Sequence, residues 1–351
     1  MVLTIFGLLF STGVLFVAPT EGEKTGEPYD PLNTMLALNA AIMSVHKVTS
    51  TADRIVLDQE YREILTNFAY GNVADDDELI NVYDEILDIL TREQLQKGDR
   101  ERFQKAYERQ INRSVFESLS GIRAYGGNLL SMLGSFLVSA GSAYFNYESQ
   151  KASYRQDFDA QIWELDKERL LYLNQLQATL LRSSWRLLRT YKLPDRYRLT
   201  EETITKFLDA IRDEDLQRAL RKFERLVADF EAYPPFWFYY GRTAQRTENK
   251  ELARRCYETF EKTWRPVLRK DPFRAEEAKN KILLLNDNEQ QEALRCVEAV
   301  TKNSRDEDWT NFLFAGLQYF LLGKNKEAMH QIQINIDNGH DSDRHEKILS
   351  A

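Results

Sequence analysis

The sequence predicts an all-α protein, and three observations support that fold class. The 351 residues include only 15 Gly and 8 Pro, the two residue types that most often interrupt helices. Apolar residues recur three and four positions apart over most of the chain, which is the spacing of one face of an α-helix. After about residue 199, one helical pattern is repeated several times. A hydrophobic content of 43% is ample for sizeable cores.

Charge and motif content narrow the classes of function. The 47 Lys and Arg are outnumbered by 55 Asp and Glu, so we expect no concentrated basic face and no nucleic-acid partner. The sequence has no phosphate-binding loop, no dinucleotide fingerprint and no paired-cysteine metal motif. Its one ligand-like cluster, His340 to His345, stands in a polar tail over residues 340–351. We therefore expect a non-enzymatic protein without catalytic residues, cofactor or metal, and with a protein partner.

Residues 1–20 carry no charged side chain, and their apolar run ends at Ala18-Pro19-Thr20. Such a run is typical of a secretory signal peptide or a short membrane anchor, and it predicts a location at a membrane. A basic leading region and a clean cleavage site are both lacking, so a buried N-terminal helix and an incorrectly chosen start site remain as alternatives. Residues 21–31 contain Gly, Thr and Pro and are expected to form a linker.

Residues 32–116 are expected to form an N-terminal helical domain with polar breaks near residues 50–53, 71–77 and 98–99. Within it, Leu79, Val82, Ile86 and Leu90 recur on one helical face. The acidic run at residues 75–77 directly precedes them. Because negative charge is favourable at a helix N-terminus, we interpret this run as part of a helix start rather than a cation site.

Residues 117–147 are expected to form an apolar helix rich in Gly and Ser, and positions 124–147 carry no charge. Small residues recur every seven positions at Ser120, Gly127, Gly134 and Gly141, with Ser131 close beside them. Such a stripe would let another helix approach closely. The uncharged stretch would reach ~36 Å as a helix, enough for a bilayer core of ~30 Å. We expect a transmembrane helix here, with a buried helix in a soluble bundle as the alternative.

Residues 148–193 are expected to form one long amphipathic helix that ends at Leu193-Pro194. No Gly or Pro interrupts it up to that point. An approximate heptad seam, typical of a coiled coil, is formed by Tyr154, Phe158, Ile162, Leu165, Tyr172, Leu176 and Leu180.

The C-terminal part contains an internal repeat. Four helical segments align on Ala219, Ala253, Ala293 and Ala328, at intervals of 34, 40 and 35 residues. Four positions after each of these alanines stands a large apolar residue, so every unit presents one small and one large side chain on the same helical face. The large residues are Phe223, Tyr257, Val297 and Ile332.

This pattern resembles the tetratricopeptide repeat, a helix hairpin of about 34 residues. Two units match well, one through Trp237, Gly241, Ala253 and Tyr257, the other through Phe312, Gly316, Tyr319 and Ala328. The other two units match only in their second helices, and Ala244 replaces the usual aromatic residue. The resemblance covers residues 199–339 and implies a tetratricopeptide-like α-solenoid.

The two cysteines occupy equivalent positions in successive repeats, because Cys256 and Cys296 each lie three residues after an anchoring alanine. Equivalent points on stacked hairpins should lie ~10 Å apart, whereas a disulfide needs Cα atoms within ~7 Å. We therefore predict two free thiols.

The resemblance implies that the first helix of each hairpin lines a concave groove for a protein partner. The residues that it points to are Phe238, Arg242, Gln245, Arg246, Leu313, Leu317 and Phe320. Packing between repeats is the alternative role, and we favour it for the three residues of the last unit. The expected function is a membrane-associated helical scaffold. The alternative is a membrane-inserting protein, either pore-forming or remodelling, whose Gly stripe joins protomers into a homo-oligomer.

Overall fold

The computed structural model describes residues 30–53, 56–57, 59–60, 84, 165, 167–286 and 288–339. These residues form ten α-helices and no strand, which confirms the all-α fold class. Residues 1–20, most of the linker and the N-terminal helical domain, residues 117–147 and the tail 340–351 lie outside the described residues. The four small residues of the expected packing stripe lie outside them too.

The first helix, α1 (Pro31–Thr51), packs against α2 (Lys167–Thr190). The Asp30 carboxylate caps the start of α1 by accepting a hydrogen bond from the backbone N–H of Leu32 at 2.9 Å. Pro31 follows at the first helical position, where its missing N–H is harmless. Helix α2 ends at Thr190, before Pro194, and a 3₁₀ turn, Asp195–Tyr197, follows.

Eight helices form four consecutive hairpins, each helix packing against the next one along the chain. They are α3 (Glu201–Ile211) with α4 (Leu216–Phe230), α5 (Pro234–Arg246) with α6 (Lys250–Thr263), α7 (Pro272–Ile282) with α8 (Gln290–Asn303), and α9 (Trp309–Leu321) with α10 (Asn325–Asp337).

Successive hairpins also contact one another, because α4 packs on α5, α5 on α7, and α8 on α9. This is the order of contacts expected when helix hairpins stack as a solenoid. Side-chain caps start several of these helices. Asp215 accepts from the N–H of Gln217 at 3.0 Å, and Asp271 accepts from the N–H of Phe273 at 2.9 Å.

The repeat positions mostly form the core of the hairpins. Ala219, Ala253 and Ala328 are buried, and so are all four of the large residues that follow the anchoring alanines. Ala293 is the exception, since it is only half buried. Aromatic side chains fill the space between the first two hairpins, where Phe230 and Phe236 stack with ring centroids 5.4 Å apart.

Both cysteines are free thiols buried in the array, Cys256 on α6 and Cys296 on α8. Burial raises the pKa of each thiol to about 12. A thiol with such a pKa is a poor nucleophile at neutral pH, so both residues pack as small apolar side chains.

The expectation of a transmembrane helix is contradicted. Across the described part of the chain, no helix combines the length and the apolar character needed to cross a bilayer. The longest described helix, α2, spans 24 residues but carries polar and charged side chains beside its apolar ones, as an amphipathic helix does. The segment on which the expectation was based, residues 124–147, lies outside the described residues.

Candidate partner-binding face

Helix α5 carries four of the side chains that the repeat pattern singles out. Two prolines start it, and the indole N–H of Trp237 donates to the carbonyl of Glu231 at 3.0 Å, which ties the helix to the end of α4. Gly241 lets α6 approach closely, because a Cβ atom there would lie 2.7 Å from Cε1 of Tyr257. Gly241 therefore lies on the face of α5 that contacts α6, while other parts of this helix contact α4 and α7.

Two of the seven predicted partner-contacting residues are inaccessible. Phe238 is fully buried, and its ring packs edge-on against Phe273 of α7 with centroids 5.8 Å apart. Leu313 of α9 is fully buried as well. Neighbouring helices cover both side chains, which contradicts the expected partner contact of Phe238. For Leu313, packing is the role favoured from the sequence.

Gln245 joins adjacent hairpins. Its Oε1 accepts a hydrogen bond from the hydroxyl of Tyr257 at 2.8 Å, and its Nε2 donates to the backbone carbonyl of Asn280 on α7 at 3.2 Å. Both polar ends of this half-buried side chain are therefore engaged within the array. Its principal role is stacking between hairpins.

Arg242 and Arg246 remain open to a partner. They stand one helical turn apart on α5, Arg242 half buried and Arg246 exposed on its surface, and no acidic side chain among the described residues pairs with either. Burial of part of the guanidinium, together with the positive charge of Arg242, lowers the pKa of Arg246. Among the residues that the structure describes, no acidic group near Arg246 offsets this shift.

Three other cations, on α6 and α7, do have acidic partners. The Nη1 atom of Arg274 lies 3.1 Å from a carboxylate oxygen of Glu261, and the ammonium of Lys281 lies 2.8 Å from the other oxygen. Arg254 lies 3.4 Å from Glu289. The array thus neutralises these charges between hairpins, whereas the two arginines of α5 are left without a counter-ion from the described residues.

The remaining predicted residues lie elsewhere. Leu317 is half buried and Phe320 is exposed, and both belong to α9, whose hairpin is separated from that of α5 by the α7–α8 hairpin. The seven residues therefore do not form one site. They divide into an accessible basic pair, a linking glutamine, two buried core residues, and two apolar residues on the last hairpin.

A cavity of about 90 Å³ between α1 and the first two hairpins was not foreseen from the sequence. Its walls are mainly apolar, with Met43 from α1, Phe207 from α3 and Tyr239 from α5. Two pairs of polar side chains also lie on the wall. The Lys47 ammonium lies 3.1 Å from a Glu60 carboxylate oxygen, and Asp271 accepts from the indole N–H of Trp264 at 2.6 Å.

No sequence signal could have revealed this cavity, because its walls combine residues from α1 with others at least 160 positions further along the chain. Burial raises the pKa of Asp271 despite the hydrogen bonds to its carboxylate.

Metal binding has no support in the part of the chain that the structure describes, since no three His, Cys, Asp or Glu side chains come together there in a way that could hold an ion. The basic pair on α5 is the one predicted feature that combines accessibility with uncompensated charge. Compared with known proteins, the chain matches no family model, no curated protein and no solved structure.

Proposed function

We propose that this protein is a non-catalytic helical scaffold whose hairpin array binds an acidic segment of a protein partner. The observation that supports this proposal is the pair Arg242 and Arg246 on α5. Both side chains are accessible, and neither has an acidic partner among the described residues. Guanidinium groups bind carboxylates through paired hydrogen bonds, so a segment with Asp or Glu side chains supplies what the pair lacks.

The repulsion between the positive charges of Arg242 and Arg246 supports a binding role for this pair. Like charges one helical turn apart destabilise an isolated helix by ~0.2–0.5 kcal/mol. An acidic ligand removes that repulsion and gains charge-assisted hydrogen bonds, while the groups around it are already fixed by Gln245 and Tyr257. The site is preorganised by the stacking of α5 on α7.

The resemblance to tetratricopeptide repeats points to the same kind of function. Two hairpins share the close approach of a glycine to the large residue of the second helix, Gly241 with Tyr257 and Gly316 with Ile332. Arrays of this type present the first helices of their hairpins as a binding surface. Attachment to a membrane through residues 1–20 stays a prediction, because that segment lies outside the described residues.

The test compares the full chain with two double variants. Arg242→Glu combined with Arg246→Glu reverses the basic pair. Arg221→Glu combined with Arg225→Glu is the matched control, since it reverses two exposed arginines with the same spacing on α4. Binding is measured by fluorescence anisotropy with a labelled peptide of ten glutamates, and with a labelled oligonucleotide of ten thymidines as a second polyanion.

The proposal expects the wild type and the α4 variant to bind the peptide alike and the α5 variant to bind at least about tenfold more weakly. Binding should weaken with added salt. Equal binding by all three proteins would overturn the proposal. Tighter binding of the oligonucleotide than of the peptide would also overturn it, because it would identify a nucleic-acid site.

A further inference from the structure

The last hairpin presents the face on which a following hairpin would stack. Hairpins α5–α6 and α9–α10 superimpose in sequence with a shift of 75 residues, which places Gly241 on Gly316, Ala253 on Ala328 and Tyr257 on Ile332. The structure supports this register. A Cβ on Gly241 would lie 2.7 Å from Tyr257, and a Cβ on Gly316 would lie 2.8 Å from Ile332.

In the α5–α6 hairpin, three polar side chains contact the next hairpin. Gln245 donates to the carbonyl of Asn280 at 3.2 Å, and Arg254 donates to the carbonyl of Leu284 and approaches Glu289. Glu261 pairs with three cations of the next hairpin, Arg274, Lys281 and Arg295. These three positions therefore belong to the stacking face of a hairpin. Phe238 belongs to it as well, and its counterpart in the last hairpin, Leu313, is buried.

The same positions in the last hairpin are apolar. A shift of 75 residues converts Gln245, Arg254 and Glu261 into Phe320, Met329 and Ile336. Phe320 is 59% exposed and Met329 is 57% exposed, while Ile336 is half buried. The end of a helical array normally carries polar residues, because no further repeat covers it. Exposed large apolar side chains at stacking positions indicate that another surface covers them.

We propose that this face, formed by Phe320, Met329 and Ile336, joins two copies of the chain end to end about a twofold axis. An interface of this symmetry must be complementary to itself. Charges on α10 meet that condition. Lys326 and Asp337 stand at opposite ends of α10, ~16 Å apart along the helix, on the same side as Met329.

When α10 packs antiparallel against α10 of the other copy, both charged residues lie opposite a residue of the opposite charge. Lys326 of each copy then faces Asp337 of the other, and the apolar side chains lie between the two ion pairs. Both residues are exposed, and within the described part of the chain neither has an ion-pair partner of its own. The Asp337 carboxylate accepts one hydrogen bond, from Nε2 of Gln333 at 2.8 Å, and keeps its second oxygen free for a lysine.

The mass of the full chain in solution tests this proposal. Sedimentation equilibrium of the wild type should show a concentration-dependent dimer, and Phe320→Glu combined with Met329→Glu should raise the dimer dissociation constant at least about tenfold. Both positions are exposed, so the fold should persist and unchanged circular dichroism should verify it. The matched control, Leu171→Glu combined with Trp185→Glu, changes two exposed apolar residues of α2 and should leave the dimer intact.

A charge exchange tests the geometry. Lys326→Asp alone places two acidic residues together at each end of the interface, and Asp337→Lys alone places two lysines together, so each variant should dimerise weakly. An equimolar mixture of the two variants restores both ion pairs, and native mass spectrometry should show mainly the mixed dimer. A monomeric wild type at ~100 μM, a dimer that survives the glutamate pair, or a statistical distribution in the mixture would overturn the proposal.

Discussion

A methyl group on Gly241 would lie 2.7 Å from Cε1 of Tyr257 and 3.0 Å from Cβ of Cys256. All of these atoms are buried where α5 meets α6, so the neighbours have little room to move. We expect Gly241→Ala to lower the free energy of unfolding by about 1–3 kcal/mol, although alanine favours the helix more than glycine does. Urea denaturation measures the change.

Gly316→Ala is the internal comparison for that prediction. The nearest atom to its added methyl would be Cδ1 of Ile332 at 2.8 Å, the end of a flexible side chain that can rotate away. We expect a loss below about 1 kcal/mol, since helix propensity offsets part of the contact. If Gly241→Ala proved no more destabilising than Gly316→Ala, the tight contact of α5 with Tyr257 would be refuted.

Glu277 on α7 is a second residue with a measurable consequence. Its burial raises the pKa of the carboxyl group to about 8, against the opposing effect of the adjacent Arg274 guanidinium and the Lys281 ammonium. The negative charge of Glu261 raises it further. In the unfolded chain the group titrates near 4.5, so the folded state binds more protons between these two pH values.

The contribution of Glu277 to the free energy of unfolding therefore falls as the pH rises from about 4.5 to 8. Above that range this contribution no longer changes with pH. Glu277→Gln keeps a hydrogen-bonding side chain of similar size but cannot ionise. We expect the stability of the variant relative to the wild type to increase by at least about 1 kcal/mol between pH 5 and pH 8. Melting curves measure it, and a constant difference would show that Glu277 is already ionised at pH 5.

At the scale of helices, His46 connects α1 to two neighbours. Its Nδ1 lies 2.6 Å from Nε2 of Gln177 on α2, and its Nε2 lies 3.3 Å from the hydroxyl of Thr205 on α3. The glutamine nitrogen can only donate, so we assign the imidazole as neutral with its proton on Nε2. Burial lowers the pKa of His46 below its usual 6.5.

The pKa of His46 is lower in the folded state than in the unfolded chain, so the unfolded chain binds its proton more readily. The contribution of neutral His46 to stability is therefore complete above pH 6.5 and is lost as the pH falls below that value. We expect amide exchange in α1, corrected for intrinsic rates, to speed up between pH 7 and pH 5.5 relative to exchange in α9. His46→Gln should abolish this difference. His330→Gln, which changes an exposed histidine of α10, should leave it unchanged.

The helices of the array differ in how well the sequence predicts them. Hairpins α5–α6 and α9–α10 follow the local spacing of small and large residues, so their anchors and register could be predicted. Helix α7 could not, because its charged residues are buried rather than exposed and the amphipathic pattern fails. Lys279, for example, donates to the Asn311 amide oxygen at 2.6 Å, and Arg274 pairs with Glu261 on α6. Such pairs depend on contacts between different helices, which the local sequence pattern does not show.

At the scale of the whole molecule, the candidate site was only partly predictable. Repeat spacing located all seven residues on the first helices of two hairpins. It could not distinguish the buried Phe238 and Leu313 from the accessible Arg242 and Arg246, since burial depends on how successive hairpins stack. Nor could it show that the arginine pair lacks a counter-ion, because 55 acidic residues were available to supply one. The cavity beside α1 depends on equally distant contacts.

The central claim is that the α5 face of the array binds an acidic segment, and hydrogen exchange of the full chain with the ten-glutamate peptide tests it most directly. At saturating peptide, the account predicts slower amide exchange in α5 and in the facing part of α7, and no change in α2. It also predicts that Arg242→Glu with Arg246→Glu removes this protection. Protection confined to other helices, or retained in the double variant, would contradict the account.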